Sequence, residues 1–148
     1  MWKTFTRKLK AFVPYFFVMI VLGSLSYILV YQASFLPNGY KIISQQNNEL
    51  TIKLFNLIGK EKSIQTISLG KDDAWKVEQI EYDVKRQNDS LWMIFSFVSI
   101  SATLIVMYVR NGMRVWKAIF QSNLIFAILI PLVSLKSAWH SIQSLISR

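Results

Sequence analysis

The sequence predicts an all-α membrane protein with three transmembrane helices and a small external insertion, a β-hairpin plus a helix, between spans 1 and 2. The main observation is three stretches without a charged residue, at 11–40, 90–109 and 118–135. About twenty helical residues cross a hydrocarbon core of about 30 Å. Composition agrees, because 53% of residues are hydrophobic and only 17% are charged. Soluble globular proteins have about 25% charged residues.

The first span is predicted at residues 11–36, behind a basic start at residues 1–10. Such a start resembles the front of a signal peptide. The apolar run is longer than a signal sequence, and no small-x-small cleavage site follows it before Pro37. We therefore expect an uncleaved anchor.

Residues 37–89 form the predicted external segment. Alternation of apolar and polar residues from Leu50, and a run rich in Ile, Thr and Ser up to Leu69, predict a hairpin at about 50–69. A helix cap is expected at Gly70–Asp73. Val77, Ile80, Val84 and Leu91 follow at helical spacing. The helix from about residue 73 to 89 should continue into span 2, residues 90–109.

A linker at 110–117 leads to the third span, residues 118–135, in which Pro131 should kink the helix or end its regular part. Residues 136–148 form an amphipathic tail, with Leu135, Trp139, Ile142 and Ile146 on one face. Two arrangements are open. The favoured one lays the tail along the outer membrane boundary, and the other continues span 3 outward against the external helix.

The net charge of +9 comes from short flanks of the spans. All eight acidic residues lie between residues 41 and 89, where eight Lys and Arg balance them. The distribution argues against nucleic-acid binding. The cations cluster in the start and the linker, which predicts a cytoplasmic N-terminus and an external, periplasmic C-terminus.

Aromatic residues at the span ends should anchor the chain at the two lipid headgroup levels. These are Trp92, Tyr108, Trp116 and Trp139.

Small and polar residues within the spans predict helix–helix contacts, within the chain, with a second copy or with another membrane protein. The proposed contact residues are Gly23, Ser96, Ser99, Thr103, Gln121 and Asn123. For the serines, a hydrogen bond to their own helix backbone is an equal alternative. The amides Gln121 and Asn123 need partners at membrane depth.

We find no sequence sign of catalysis. There is no cysteine, and the single histidine, His140, has only serine, glutamine and lysine as polar neighbours in the tail. The acidic clusters, Asp72/Asp73 and Glu78/Glu81/Asp83, are explained by helix capping and by solvation. We therefore expect no enzyme activity, metal site, cofactor or small-molecule substrate.

The external segment is the expected site of partner contact, with Trp75 beside Asp72 and Asp73 as its centre. The alternative places Trp75 over the apolar face of the hairpin.

In outline the chain is small, basic, cysteine-free and three-span. It thereby resembles exclusion proteins of conjugative plasmids, which block redundant DNA transfer, and immunity proteins against pore-forming colicins. This resemblance implies a non-enzymatic interaction protein of a bacterial inner membrane. An accessory subunit of a secretion or transport complex is the second hypothesis, and a phage holin the third.

Overall fold

A computed structural model describes residues 2–46, 49–70 and 72–147 of the 148. Met1, Lys71 and Arg148, which belong to the predicted start, cap and tail, lie outside these residues. The chain is mostly helical, with one small sheet between its first two long helices. The elements are α1 Trp2–Tyr27, a π-helical segment Ile28–Gln32, β1 Tyr40–Gln46, β2 Glu49–Phe55, β3 Glu61–Ser68, α2 Ala74–Arg110, α3 Val115–Gln121 and α4 Leu124–Ile146.

Among the described residues, three helical stretches are long and apolar enough to cross a membrane, as the uncharged runs predict. They are Val13–Gln32, Ala74–Arg110 and Leu124–Ile146. The second is a single helix of 37 residues, about 55 Å long at 1.5 Å per residue. It is continuous from the segment after the sheet into the apolar run, as expected from the absence of any breaking residue.

The sheet has three antiparallel strands in the order β1-β2-β3, and the prediction of a two-stranded hairpin was incomplete. β2 and β3 lie within the predicted hairpin, whereas β1 was missed. Its pairing with β2 shifts register between Ile42 and Ser44. The extra residue of this bulge, Ile43, breaks the two-residue alternation by which a strand is recognised in sequence.

Two apolar clusters join the sheet to the helices. In the first, Leu50 and Ile52 of β2 are buried against Ile80 of α2, with Leu145 and Ile146 of α4 packed beside them. In the second, Val30, Leu36, Leu91 and Leu135 are buried together, and Phe55 packs on them. We call the end of the helix bundle that carries the sheet the sheet end, and the opposite end, at the Asn111–Gly112 turn, the loop end.

The third apolar segment differs from its prediction at both ends. A break at Ser122 and Asn123, where Asn123 has a left-handed φ of 55°, separates α3 from α4. Pro131 is buried inside α4 and does not end it. The helix continues to Ile146 because Leu135, Ala138 and Ile142 are all buried. The favoured expectation of a separate surface-lying tail was therefore wrong, and the alternative, a continued helix packed on α2, is observed.

Candidate functional site

A buried carboxylate ties α2 to α4 at the sheet end. Asp83 has no exposed surface, and its Oδ1 lies 2.9 Å from Nη2 of Arg86 one turn later. Its Oδ2 accepts hydrogen bonds from Gln79 Nε2, at 3.0 Å, and from the hydroxyl of Ser141 on α4. Arg86 also reaches the Ser137 hydroxyl at 3.4 Å. These hydrogen bonds from Ser141 and Arg86 connect the last turns of α4 to α2.

A buried amide one turn further along α2 holds the first strand. Gln87 is fully buried. Its Oε1 accepts a bond from the Tyr40 backbone N–H at 2.9 Å, and its Nε2 donates to the Tyr40 carbonyl at 3.0 Å. The Gln87 side chain therefore bonds both the N–H and the carbonyl of Tyr40, at the start of β1. Burial raises the pKa of the Tyr40 phenol.

A third polar contact connects α2 to the end of the first apolar segment. The Tyr31 hydroxyl donates a hydrogen bond to Asp89. Asp83, Gln87 and Asp89 were not singled out from the sequence as site residues. A signal was present, because Asp83 and Gln87 follow Ile80 at i+3 and i+7, on the face that also carries the buried Leu91.

The opposite face of α2 is open and carries two aromatic residues. Trp75 and Tyr82 are 57% and 59% exposed, and the exposed Glu78 lies between them. Their spacing of three and four residues puts all three on one side of the helix. We call these three residues the Trp75–Tyr82 face.

Cations border this face. The Lys76 ammonium lies 5.9 Å from the centre of the Trp75 ring, and the Arg86 guanidinium carbon lies 5.7 Å from that of Tyr82. Arg86 also pairs with the buried Asp83, so the same guanidinium connects the exposed Tyr82 ring to the interior of the chain. The alternative in which Trp75 covers the sheet is not observed, since α2 and α4 residues cover that face.

The two acidic residues expected beside Trp75 lie in the turn before α2. Asp73 occupies the cap position, but its carboxylate makes no cap bond to the first helical turn. It accepts instead from the Gly70 N–H at 2.9 Å and pairs with Lys76 at 2.9 Å. These contacts, Lys76 first, lower the pKa of Asp73. Asp72 is exposed in the same turn.

The expected helix-contact residues fall into different environments. Gly23 accepts a hydrogen bond at its carbonyl from the Trp92 indole at 3.0 Å, which joins α1 to α2. Ser96 is buried, and its hydroxyl has no hydrogen-bond partner within the described part of the chain. Thr103 donates to the Ser99 carbonyl of its own helix at 2.9 Å, the backbone alternative raised for such residues.

The two amides of the third apolar segment are exposed on the single chain. Neither Gln121 nor Asn123 has a side-chain hydrogen bond to another helix among the residues described. Between these two amides lies a contact that the sequence analysis did not predict. The buried Ser101 hydroxyl of α2 donates to the Ser122 carbonyl at 3.2 Å. This bond forms because the break after α3 leaves that carbonyl available.

The expected aromatic anchors occupy different positions along the helices, and Trp92 lies at the middle of α2. Trp116 is 75% exposed at the loop end, while Trp92 is 37% exposed. Tyr108 is half-buried in α2. Trp139 is half-buried against the Leu36 cluster, and its indole N–H has no partner within residues the structure describes.

The helices leave an open cleft between α1 and α2, of about 500 Å³. Apolar side chains such as Met19, Leu22 and Leu104 line it, and Arg110 and Asn111 lie at its loop end. No group of three metal-ligating side chains occurs in the described ranges, and His140 is exposed on α4. No protein-family model, curated protein or solved structure matches the chain.

Proposed function

We propose that this chain is a three-span protein of a bacterial inner membrane that acts by binding another protein, without catalysis. In this proposal the sheet, the first part of α2 and the end of α4 form one extramembrane unit that presents the Trp75–Tyr82 face. Tryptophan, tyrosine and arginine are the residues enriched at the energetic centres of protein interfaces.

The observation that carries the proposal is the position of this face on a fixed support. Trp75 lies fifteen residues before the apolar run that begins at Ser90, about 22 Å along a helix axis. The buried contacts of Asp83 and Gln87 hold the helix that carries it. A large partner could therefore reach the face without entering the bilayer.

The proposed orientation puts the loop end in the cytoplasm, because Arg110, Arg114 and Lys117 cluster there. A reporter active only outside the cytoplasm should give signal when fused after Gly70 or after Arg148, and none after Gly112. Signal after Gly112 with silence after Gly70 would reverse the orientation.

The biological role we propose is exclusion or immunity, in which the chain binds an incoming conjugation component or a pore-forming toxin. Cells that express it should show a lower frequency of receiving the cognate conjugative plasmid, or should survive the cognate toxin. Growth arrest on expression would indicate a holin instead. Dependence of membrane level on one co-expressed protein would indicate an accessory subunit.

Trp75→Ala tests the binding face within this role. Because the ring is 57% exposed, helicity and membrane level should persist while protection falls by at least tenfold, about 1.4 kcal/mol or more of binding free energy. The matched control is Trp116→Ala, which removes an exposed tryptophan at the loop end. Equal loss of protection in both variants, or none in either, would contradict the role of this face.

A further inference from the structure

The turn between β2 and β3 exposes two apolar side chains side by side. Leu57 is 75% exposed and Ile58 is 69% exposed. Lys60 and Lys62 follow them, and both are exposed. An apolar tip followed by cations is the composition of segments that enter the boundary of a membrane.

The sheet is oriented so that this turn points toward the apolar part of the bundle. Leu50 belongs to the cluster that contains Ile80 of α2, whereas Phe55 packs on the cluster that contains Leu91. Eleven residues of helix separate the two α2 positions, about 16 Å. Five residues of strand span about the same distance. β2 therefore runs alongside α2 toward the apolar run, and the turn follows its last residue.

A chain of aromatic contacts places the tip at the level where that run begins. A Cβ added to Gly59 would lie 2.8 Å from the Phe35 ring, so the turn backbone rests directly on this ring. The Phe35 and Phe95 rings lie 5.8 Å apart between centres. Phe95 is five residues past Ser90, where the uncharged run begins.

The backbone amides of the tip are also hydrogen-bonded within the turn, so they do not need water as a partner. The Asn56 side-chain oxygen accepts bonds from the Ile58 and Lys60 amides, both at 2.9 Å. The Asn56 carbonyl accepts the Gly59 amide at 2.9 Å. In a bilayer, each amide left without a partner costs several kcal/mol. Asn56 alone removes this cost for three amides of the turn.

We propose that Leu57 and Ile58 insert into the boundary of the leaflet at the sheet end, and that Lys60 and Lys62 contact its anionic lipid phosphates. The inference rests on the proposed three-span placement. The tip is then a fourth membrane contact, which holds the sheet against the bilayer.

The lack of cysteine in the chain allows a direct test. Leu57→Cys and Ile58→Cys, each labelled with an environment-sensitive fluorophore, are reconstituted as full chains in phosphatidylcholine–phosphatidylglycerol vesicles. Lipids with a nitroxide near the headgroup should quench both labels, and aqueous iodide should quench them several-fold less than a label at Trp75→Cys. Ile64→Cys is the matched control, an isoleucine 52% exposed on β3 away from the turn.

A label at Val133→Cys separates this proposal from the three-span placement. Val133 is 72% exposed within the apolar part of α4, so lipid nitroxides should quench it if α4 spans the bilayer. Quenching at 133, with iodide access at 57 and 58 equal to that at 64, would overturn the membrane tip and leave the spans intact. Absence of lipid quenching at 133 would overturn both.

The lysines are tested in the Ile58→Cys background. Lys60→Ser with Lys62→Ser should increase iodide access to the label in vesicles that contain phosphatidylglycerol. It should have a smaller effect in phosphatidylcholine alone. The same access with and without the lysines in both lipids would show that they do not bind phosphate.

Discussion

The two halves of α2 differ in what they contact. Six of its eight buried residues, Val77, Ile80, Asp83, Gln87, Ser90 and Leu91, lie before Trp92, and only Ser96 and Ser101 lie after it. One face of the first half packs against the sheet and α4, where the buried Asp83 and Gln87 make hydrogen bonds, while Trp75 and Tyr82 on its other face are exposed. The second half faces the open cleft toward α1.

The first half of α2 is therefore stabilised by contacts within the chain, whereas the second half has surface available for contacts with other molecules. In the first half, contacts of the buried residues determine the structure, so substitutions of those residues should change stability. In the second half, lateral surfaces remain exposed in the single chain, so substitutions there should change association more than folding.

The largest effect on stability is expected from Asp83→Ala. It removes the carboxylate that pairs with Arg86 and accepts from Gln79 and Ser141. We expect a loss of about 2–4 kcal/mol in the free energy of unfolding. Chemical unfolding in detergent micelles, with proteolysis of the sheet end as a second readout, measures it.

The control for Asp83→Ala is Glu81→Ala, which removes an exposed acid of the same helix. It should change stability by less than about 0.5 kcal/mol. Equal stability of the two variants would mean that the buried ion pair does not hold α4, and the contrast between the halves of α2 would lose its main support.

A smaller loss is expected from Gln87→Leu, which keeps the approximate volume but leaves the Tyr40 N–H and carbonyl without this partner. Unsatisfied buried groups of this kind cost about 1–3 kcal/mol. The same unfolding measurement applies, and Gln65→Leu, on the exposed side of β3, is the control. If Gln87→Leu is as stable as the control, water can replace the amide and β1 is held by its pairing with β2 alone.

The surroundings of the second half of α2 are tested at Gln121 and Asn123, which flank Ser122, whose carbonyl accepts from Ser101. Leucine at both positions should weaken helix association by about 1–2 kcal/mol. The structure refines this experiment. Asn123 has a φ of 55°, a conformation that costs leucine about 1–2 kcal/mol by itself. Gln121→Leu alone therefore isolates the amide, and Asn123→Gly keeps the backbone conformation while removing the second amide.

Energy transfer between labelled copies in vesicles would measure this association. The folded state of the single chain should be unchanged, since Gln121 is exposed. Undiminished transfer for both Gln121→Leu and Asn123→Gly would indicate that the amides face lipid headgroups and not a second copy.

Sequence patterns predicted much of the fold because charge and periodicity act locally. The uncharged runs located three helices, and continuous helical spacing from Val77 to Leu91 predicted that α2 has no break. Contacts between segments that are distant in the sequence could not be predicted from these local patterns. The bulge at Ile43 concealed β1.

The end of α4 depended on packing that composition does not encode. Its amphipathic pattern fitted a membrane surface as well as it fitted α2, and the buried contact of Ser141 with Asp83 decides between them. Asp83 was interpreted as a solvated acid together with Glu78 and Glu81. Its spacing of three residues from Ile80 set it apart from these exposed neighbours, and the structure shows that it is buried.

The smallest effect is expected at the turn before α2, where Asp73 accepts from the Gly70 N–H and pairs with Lys76. The pKa of Asp73 is lower in the folded chain than its ordinary value. Its charged form therefore stabilises the fold above an unfolded pKa of about 3.9, and this contribution is lost as the pH falls through the lower folded value.

Asp73→Asn should accordingly be slightly less stable than the native chain at neutral pH, and the two should converge as the pH falls below about 4. Melting temperatures in detergent across this range measure the difference, with Asp72→Asn as the control for removing a charge one residue away. Because the carboxylate is near the surface, salt should reduce the difference at neutral pH. A difference that stays constant down to the lowest pH would mean that Asp73 acts through the shape of the turn and not through its charge.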